Sequence, residues 1–228
     1  MSGSEGPRLV PTGRYAWLLG IAAILVAGFL VISSTRPAGP GAVGLAAGAQ
    51  LPPFAVVLAG SDAVCDSADD PCDANVAASG ARDHGDAGRR PACEVRGPRI
   101  LNLCALTERG PLVLGLMATR DAGCAGAFDR LESLPRRHPG LQVAVVSIRG
   151  GLEELRQVVR ERRWSFPVGW DRDGVLASLY GVATCPYIAV ASWRGRVQAT
   201  LLGRTDGAAL ERRVEAALAV SRRRGWEP

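Results

Sequence analysis

Cys124 is the residue of this sequence whose type and position most strongly indicate chemistry. It lies within the stretch GPLVLGLMATRDAGCAGAFDRLESL, residues 110–134. The apolar run at 111–117 predicts a strand that is buried on both faces. After a polar junction at 118–123, apolar side chains recur at helical spacing, at Cys124, Phe128, Leu131 and Leu134. Cys124 is therefore predicted in the first turn of a helix, where backbone amides and the helix dipole favour a thiolate and hence disulfide exchange.

Cys65 and Cys72 enclose the short acidic segment CDSADDPC. This spacing favours a loop that is closed by a local disulfide. The alternative is a metal site that also uses nearby side chains, namely Asp66, Asp69, Asp70, Asp73 and His84. No second cysteine pair and no His-x-x-x-His spacing supports such a site, so we expect no bound metal.

Cys93 and Cys104 lie in the segment ACEVRGPRILNLCAL, residues 92–106. We interpret this segment as a β-hairpin near the start of the domain, with its turn at Gly97 and Pro98. Pairing across that turn would place Cys93 opposite Cys104. A cross-strand disulfide is therefore conceivable, although a slip of one residue in the register would remove it.

The composition excludes several classes of protein. The chain has 228 residues, a net charge of +5 and no lysine, so all 27 basic side chains are arginines. Without lysine there can be no Schiff-base lysine and no P-loop lysine. Because the arginines are scattered among acidic residues and aromatic residues are few, we expect no nucleic-acid binding. The length suits an N-terminal tail and one domain of about 100 to 150 residues.

Residues 15–35 carry no charge and are rich in large apolar side chains. A helix of this length is about 31 Å long, which matches the hydrocarbon core of a bilayer. Arg8 and Arg14 precede the segment and only Arg36 follows it closely. This bias favours a cytoplasmic tail at 1–14 and an extracytoplasmic C-terminal domain. We therefore predict a single-pass anchor in the cell membrane.

A cleaved signal peptide is the alternative to an anchor. Its apolar region would be longer than usual, and the nearest A-x-A motif, at 47–49, lies well beyond the segment. We predict a flexible Gly/Ala/Pro linker at 36–50, a domain at 51–224 and a C-terminal tail at 225–228. The domain includes an Asp/Ala/Gly-rich insertion at 59–92, which has too few large apolar residues to form a core and is expected to be mobile.

The remaining elements form the framework around Cys124. Further strands are predicted at residues 51–58, 141–148, 187–193 and 197–202, and a short extended piece is predicted at 166–168. Further helices are predicted from residue 152, after a turn at 171–174, and from residue 206. Two parallel-type units, an antiparallel hairpin and a closing helix predict an α/β domain with three layers, an α/β/α sandwich.

Five segments of this domain match, in residue type and in order, segments of a known superfamily. They are LPPFAVVL, PLVLGLMAT, WDRDGVLASLYGV, VATCPYIAV and RGRV. On these segments the sequence resembles the thioredoxin-like superfamily, specifically the membrane-anchored extracytoplasmic thiol-disulfide oxidoreductases of the TlpA and ResA type, which border the peroxiredoxins. The resemblance covers most of the domain and implies a thioredoxin-like fold without a cofactor. It also implies that Pro186, which follows Val182-Ala183-Thr184-Cys185, is a cis-proline that faces the active-site turn.

The sequence departs from this family at the reactive motif itself. Where the family has Trp-Cys-x-x-Cys, residues 120–124 read RDAGC, so Asp121 replaces the first cysteine and only Cys124 is present. The standard dithiol mechanism of the family is therefore absent. Asp121 can cap the helix by accepting from a backbone amide, but its charge opposes thiolate formation at Cys124.

The resemblance offers a substitute for the missing thiol. In the thioredoxin fold the residue before the cis-proline lies against the active-site turn, and here that residue is Cys185. We hypothesise that Cys124 and Cys185 form a redox pair, in which one attacks a partner disulfide and the other resolves the mixed disulfide. The alternative is a buried structural disulfide. The six cysteines would then form three links, Cys65 with Cys72, Cys93 with Cys104, and Cys124 with Cys185.

Three functions are compatible with this sequence. The first is a membrane-tethered oxidoreductase that acts on thiols or disulfides of exported proteins and uses a membrane or extracytoplasmic electron donor. The second is a thioredoxin-fold binding module without catalysis. The third is a peroxiredoxin-like peroxidase, in which Arg120 could stabilise a thiolate. Peroxiredoxins, however, need a proline and a Thr or Ser where this chain has Met117 and Asp121.

Overall fold

The structure is a computed structural model of the chain. It describes Trp17 and residues 21–25, 44–62, 76–77, 91–203 and 206–228. The chain divides into two compact units, Met1–Gly39 and Pro40–Pro228. In the first unit, Trp17 and residues 21–25 are helical. Within the part of the chain that the structure describes, no helix has both the length and the apolar character that crossing a bilayer requires.

Some of the predictions concern residues outside these ranges. They include most of the predicted anchor at 15–35, the acidic loop between Cys65 and Cys72, and His84. Most of the insertion at 59–92 also lies outside them. Within that insertion the structure describes a strand of two residues, Val76–Ala77.

The second unit is built on one mixed sheet. Its strands are β1 (Phe54–Leu58), β2 (Val76–Ala77), β3 (Ile100–Asn102), β4 (Leu112–Ala118), β5 (Gln142–Arg149), β6 (Val168–Trp170), β7 (Tyr187–Ser192) and β8 (Arg196–Leu202). Its α-helices are α1 (Leu103–Arg109), α2 (Ala122–Gly126), α3 (Leu134–Arg137), α4 (Leu152–Arg162), α5 (Val175–Leu179) and α6 (Gly207–Arg223). Short 3₁₀ segments cover Ala92–Glu94, Asp129–Ser133 and Trp193–Gly195.

Strand β4 lies in the middle of the sheet. It is parallel to β5, and β5 is parallel to β6. On its other side β4 pairs with β7, and β7 pairs with β8, both antiparallel. β1 joins the outer side of the sheet by antiparallel pairing with β6. The strands predicted outside the 92–106 segment all form, with small shifts of their ends. β6 was not predicted as a strand, and it shares only Val168 with the extended piece predicted at 166–168.

Alternate residues of β4 face two different cores. Val113 and Met117 pack with apolar residues of α2, α4 and α6 on one side of the sheet. Leu114 and Leu116 pack on the other side, with apolar residues of α1 and α5. A strand buried on both faces needs a helical layer on each face, and the three-layer α/β/α architecture is confirmed.

The helix predicted from residue 124 to residue 134 is interrupted. α2 ends at Gly126, and a 3₁₀ turn separates it from α3. Glycine lowers helix stability, and Pro135, which lacks an amide proton, suits the first turn of a new helix. The apolar stripe is nevertheless buried as predicted, at Cys124, Phe128, Leu131 and Leu134.

The β-hairpin predicted over residues 92–106 is wrong. Asn102 ends β3 and caps α1, because its side chain accepts a hydrogen bond from the Ala105 amide at 3.0 Å. Its Nδ2 donates to the carbonyl oxygens of Ala92 and Val95, at 2.7 Å and 2.8 Å. An asparagine that satisfies these backbone groups favours a helix start over a continuing strand. β3 pairs with β1 instead.

A disulfide joins Cys93 to Cys104, although the two residues do not lie on paired strands. Cys93 lies in the 3₁₀ segment and Cys104 in the first turn of α1. Their Cα atoms are 5.3 Å apart, which is a usual separation for a disulfide. The disulfide that the hairpin made conceivable is therefore present, although the hairpin itself is not.

Residues 44–51 are part of the folded domain and not of a flexible tether. The Gly48 amide donates to the Val197 carbonyl at 2.8 Å, and the Val197 amide donates to the Ala49 carbonyl at 2.9 Å. The Leu51 amide donates to the Gly195 carbonyl at 2.9 Å. The linker predicted at 36–50 therefore ends earlier than expected, because its last residues form backbone hydrogen bonds with β8 and the turn before it.

The C-terminal residues are also part of the domain. Trp226, in the tail predicted at 225–228, is only 4% exposed. Its indole Nε1 donates to the Arg109 carbonyl at 3.0 Å. The ring lies so close to Gly140 that a Cβ atom there would be 2.7 Å from Trp226 Cζ2. Burial of this large aromatic ring holds the end of the chain against the domain, which we had predicted to end at residue 224.

Candidate active site

Cys124 and Cys185 are joined by a disulfide, with their Cα atoms 5.5 Å apart. Cys124 lies in α2, which follows the carboxyl end of β4. Cys185 lies two residues before the start of β7, and β7 is antiparallel to β4 with Leu116 opposite Tyr187. Because the end of β4 and the start of β7 lie at the same edge of the sheet, the topology brings together two residues that are 61 positions apart.

Pro186 lies beside this disulfide. The peptide bond between Cys185 and Pro186 is cis, and Pro186 itself is buried. The Sγ atom of Cys185 is 4.0 Å from the carbonyl oxygen of Leu116. A disulfide sulfur has no proton to donate, so in this oxidised form the approach is a packing contact with the end of β4.

The two sulfur-bearing residues differ in their exposure. Cys124 is 2% exposed and belongs to the core formed by α2, α4 and α6. Cys185 is half-buried, and Thr184 before it is exposed. A molecule that approaches from solvent therefore reaches Cys185 more readily than Cys124.

Asp121 caps the helix that carries Cys124. Its Oδ1 accepts a hydrogen bond of 3.0 Å from the Cys124 amide, and its backbone is extended, as is usual for an N-cap residue. The capping role predicted from the sequence is therefore present.

Arg120 does not lie with the other predicted site residues. Its side chain is 75% exposed, and its Nε is 3.3 Å from Glu154 Oε2. The same oxygen accepts from the Gly151 amide at 3.1 Å. The Gly151 hydrogen bond, and then Arg120, hold the pKa of Glu154 below its usual value. The guanidinium is therefore directed to α4 and not to the Cys124 sulfur.

Both cysteines and Pro186 line one pocket of about 770 Å³. Its charged lining residues are Asp121, Arg130 and Asp206, and glycine and alanine residues complete the wall. Asp206 also caps α6, where its Oδ1 accepts from the Ala208 amide at 3.2 Å. We predicted a helix start at Asp206 but not its place in this pocket. No sequence signal indicated Arg130 or Asp206 as site residues, because only the fold brings them into the wall of the pocket that the two cysteines line.

The described residues hold no cluster of three or more histidine, cysteine, aspartate or glutamate side chains that could bind a metal ion. The chemical groups present at this site are a disulfide, two carboxylates and a guanidinium. This set of groups can exchange a disulfide with a thiol without any further cofactor.

No protein-family model matches this sequence, and a search of curated proteins likewise found no match. Solved structures do match. A candidate thiol:disulfide interchange protein DsbE of Chlorobium tepidum aligns with a TM-score of 0.56 at 18% identity, over 76% of this chain and 99% of that one. A candidate protein disulfide isomerase of Bacteroides thetaiotaomicron aligns with a TM-score of 0.54 at 12% identity, over 78% and 94%. At such identities the likeness concerns the fold, and the chain has the mixed α/β fold of thioredoxin-like proteins.

Proposed function

We propose that this protein is a thiol-disulfide oxidoreductase that works through Cys124 and Cys185. The observation that carries the proposal is the difference in exposure between the two residues of one disulfide. Cys124 is buried in the core, whereas Cys185 is half-buried, next to a cis-proline, in the wall of a pocket. Such a disulfide offers one accessible sulfur to a partner and retains the other as an internal resolving group.

The exchange begins at Cys185. A partner thiolate attacks Cys185 Sγ, the bond to Cys124 breaks, and the electron pair leaves on the Cys124 sulfur, which takes a proton from solvent. A second thiol of the partner then attacks the partner sulfur of the mixed disulfide and releases Cys185. The partner loses two electrons and gains a disulfide, and the protein gains two thiols. The reverse sequence reduces a partner disulfide.

The cellular setting that we propose follows from the sequence. The uncharged segment at 15–35 would tether the domain to the cell membrane, with the domain outside the cytoplasm. The partners would be thiols or disulfides of exported proteins, and a membrane or extracytoplasmic donor would supply electrons. An oxidising compartment is also where structural disulfides such as Cys93–Cys104 persist.

A redox titration of the purified full-length chain tests this function. Thiol trapping and mass spectrometry across glutathione ratios give the midpoint potential of the Cys124–Cys185 disulfide. A disulfide that opens above about −250 mV supports exchange, because structural disulfides typically lie below about −300 mV. A disulfide that opens only on unfolding contradicts it. The Cys93→Ser/Cys104→Ser variant is the matched control, since it removes the other described disulfide and should give the same potential.

A binding module without catalysis is the second candidate. It is favoured by Asp121 at the position of the first cysteine and by the burial of Cys124, which would suit a purely structural disulfide. A peroxidase has less support, because Arg120 is paired with Glu154. Consumption of hydrogen peroxide with a thiol reductant would identify a peroxidase. A protein that neither exchanges nor consumes peroxide would be the binding module.

A further inference from the structure

A second cavity reaches Cys185 from another side. Its volume is about 600 Å³, and Cys185 lines it but Cys124 does not. Its walls include the end of β4 at Met117 and Ala118 and the end of β5 at Ile148 and Arg149. Arg172 and Asp173, which follow the end of β6 closely, also line the cavity. Residues at the carboxyl ends of three parallel strands therefore lie together there. In open α/β sheets this edge is the usual position for a small-molecule site.

The charged side chains of this cavity are Arg149, Arg172 and Asp173. Two guanidinium groups against one carboxylate give the lining a net positive charge. Arg149 is opposite Ala118 because the pairing of β4 with β5 shifts after Met117, and such an irregularity redirects the side chains that follow it. The larger pocket, by contrast, has two carboxylates and one guanidinium in its lining. The two openings at Cys185 therefore differ in the sign of their charge.

The size of the cavity suits a small molecule. Ligand pockets typically enclose about 300 to 1,000 Å³, and a positive cleft raises the local concentration of anions. The reactive atom in this cavity is the Cys185 sulfur of the disulfide. A molecule that is attracted by the positive charge and attacks this sulfur by disulfide exchange carries both an anionic group, such as a carboxylate, and a thiol.

We propose that a low-molecular-weight anionic thiol enters this cavity and opens the Cys124–Cys185 disulfide by attack on Cys185. The inference rests on the proposed exchange function and names its small-molecule partner. The thiolate forms a bond to Cys185 Sγ, and Cys124 leaves with the electron pair and is protonated. A second thiolate then attacks the small-molecule sulfur of the mixed disulfide and releases Cys185. Two thiols become one small disulfide, and the protein disulfide becomes two thiols.

Opening kinetics of the oxidised full-length chain test this proposal. The probes are 3-mercaptopropionate, neutral 2-mercaptoethanol and cationic cysteamine, at low ionic strength. Each rate constant is expressed per thiolate and divided by that of the same thiol with a neutral reference disulfide, which removes intrinsic reactivity. We expect 3-mercaptopropionate to be favoured over 2-mercaptoethanol by about tenfold, with cysteamine slowest. Added salt should reduce this preference.

Charge variants show whether the cavity causes the preference. Arg149→Gln/Arg172→Gln should abolish it, whereas Arg149→Lys/Arg172→Lys should retain it. Arg136→Gln/Arg213→Gln removes the same net charge from exposed residues outside the cavity and should leave the preference intact. Equal preferences in the two glutamine variants would overturn the proposal.

Two further outcomes separate this proposal from the function on which it rests. If no thiol opens the disulfide in the folded chain, the exchange function itself fails. If 2-mercaptoethanol opens it normally but 3-mercaptopropionate has no advantage, only the anionic-thiol site is rejected. A cysteine peptide flanked by glutamates that is favoured well above 3-mercaptopropionate would overturn the small-molecule assignment and indicate an acidic protein segment.

Discussion

The carboxylate of Asp121 accepts a hydrogen bond of 3.0 Å from the amide of Cys124. It therefore stabilises the helix start, and it places a negative charge in the turn that carries the buried Cys124. The first effect favours the folded state in either redox form, and the second disfavours a Cys124 thiolate. Asparagine would keep the first effect and remove the second, so the two can be separated.

Asp121→Asn should make a thiol open the Cys124–Cys185 disulfide faster. The amide oxygen can still accept from Cys124, but the charge that opposes negative charge on the leaving Cys124 sulfur is gone. We expect the rate constant of opening to rise about two- to fivefold, which corresponds to about 0.5 to 1 kcal/mol. Thiol trapping over time with 2-mercaptoethanol measures the change. An unchanged or lower rate constant would contradict the proposed influence of the charge.

Asp121→Ala is the companion variant, because it removes both the charge and the cap. Loss of an N-cap side chain costs about 1 kcal/mol of folding stability. Urea unfolding with the disulfides intact should therefore show a lower free energy of unfolding for Asp121→Ala than for Asp121→Asn. Equal stabilities would mean that the hydrogen bond to Cys124 contributes nothing measurable.

Single-cysteine variants should distinguish the roles of the two sulfurs. Cys124→Ser leaves the half-buried Cys185 and should accumulate a stable mixed disulfide with oxidised glutathione, because no internal thiol can resolve it. Cys185→Ser leaves the buried Cys124, and its reaction with oxidised glutathione should be at least about tenfold slower. Intact mass measured over time gives both rates. A faster reaction of Cys124 would reverse the proposed order of attack.

Gly115→Ala should destabilise the domain. A Cβ atom at Gly115 would be 2.5 Å from Phe128 Cε1 and 3.1 Å from Val145 Cγ2, so the ring that packs the α2–α3 region onto β4 would have to move. Overpacking of this kind typically costs about 1 to 3 kcal/mol, which urea unfolding would detect. Gly60→Ala is the control, because a Cβ there meets nothing within 4 Å. Equal stability of the two variants would contradict this packing.

Trp226→Ala should lower stability although the residue is close to the C-terminus. The ring is buried against Gly140, and its Nε1 donates to the Arg109 carbonyl. Loss of a buried aromatic side chain costs about 3 to 5 kcal/mol. The neighbouring Glu227 is exposed, so Glu227→Ala should have little effect. A small effect of Trp226→Ala in thermal or urea unfolding would mean that the end of the chain is not held in solution.

Tyr180 should make the fold sensitive to alkaline pH. Burial raises the pKa of Tyr180 well above the usual 10.0, and its hydroxyl donates to the Pro52 carbonyl at 2.7 Å. The unfolded chain ionises this tyrosine near pH 10 but the folded chain does not, so the folded state binds more protons above that pH. Its contribution to stability is therefore complete below pH 10 and is lost as the pH rises further.

Tyr180→Phe should accordingly lower stability at pH 7 by about 1 kcal/mol, through the lost hydrogen bond, and flatten the decline above pH 10. The decline should not vanish, because burial also raises the pKa of Tyr187. Urea unfolding at several pH values measures both effects. A decline as steep as in the unmodified protein would contradict the contribution of Tyr180.

The sequence alone was sufficient for the elements whose pattern is local. The apolar run before Cys124 predicted β4, and helical spacing identified Phe128, Leu131 and Leu134 as core residues. The spacing of Asp121 before Cys124 predicted the helix cap. These predictions succeed because strand and helix periodicity, and capping, depend on residues a few positions apart. The resemblance to a known family then directed attention to Cys185, which no local pattern connects to Cys124.

Only the tertiary structure decided the features that depend on distant partners. The 92–106 segment alternates like a hairpin, but Asn102 starts a helix and β3 pairs with β1. The sequence predicts that Trp226 belongs to a C-terminal tail, whereas in the structure its ring contacts Arg109 and Gly140. Arg149 and Arg172 line the same cavity as Cys185 only because parallel strands end at one edge of the sheet. Chain topology and the free energy of burial set these contacts, and a local sequence window contains neither.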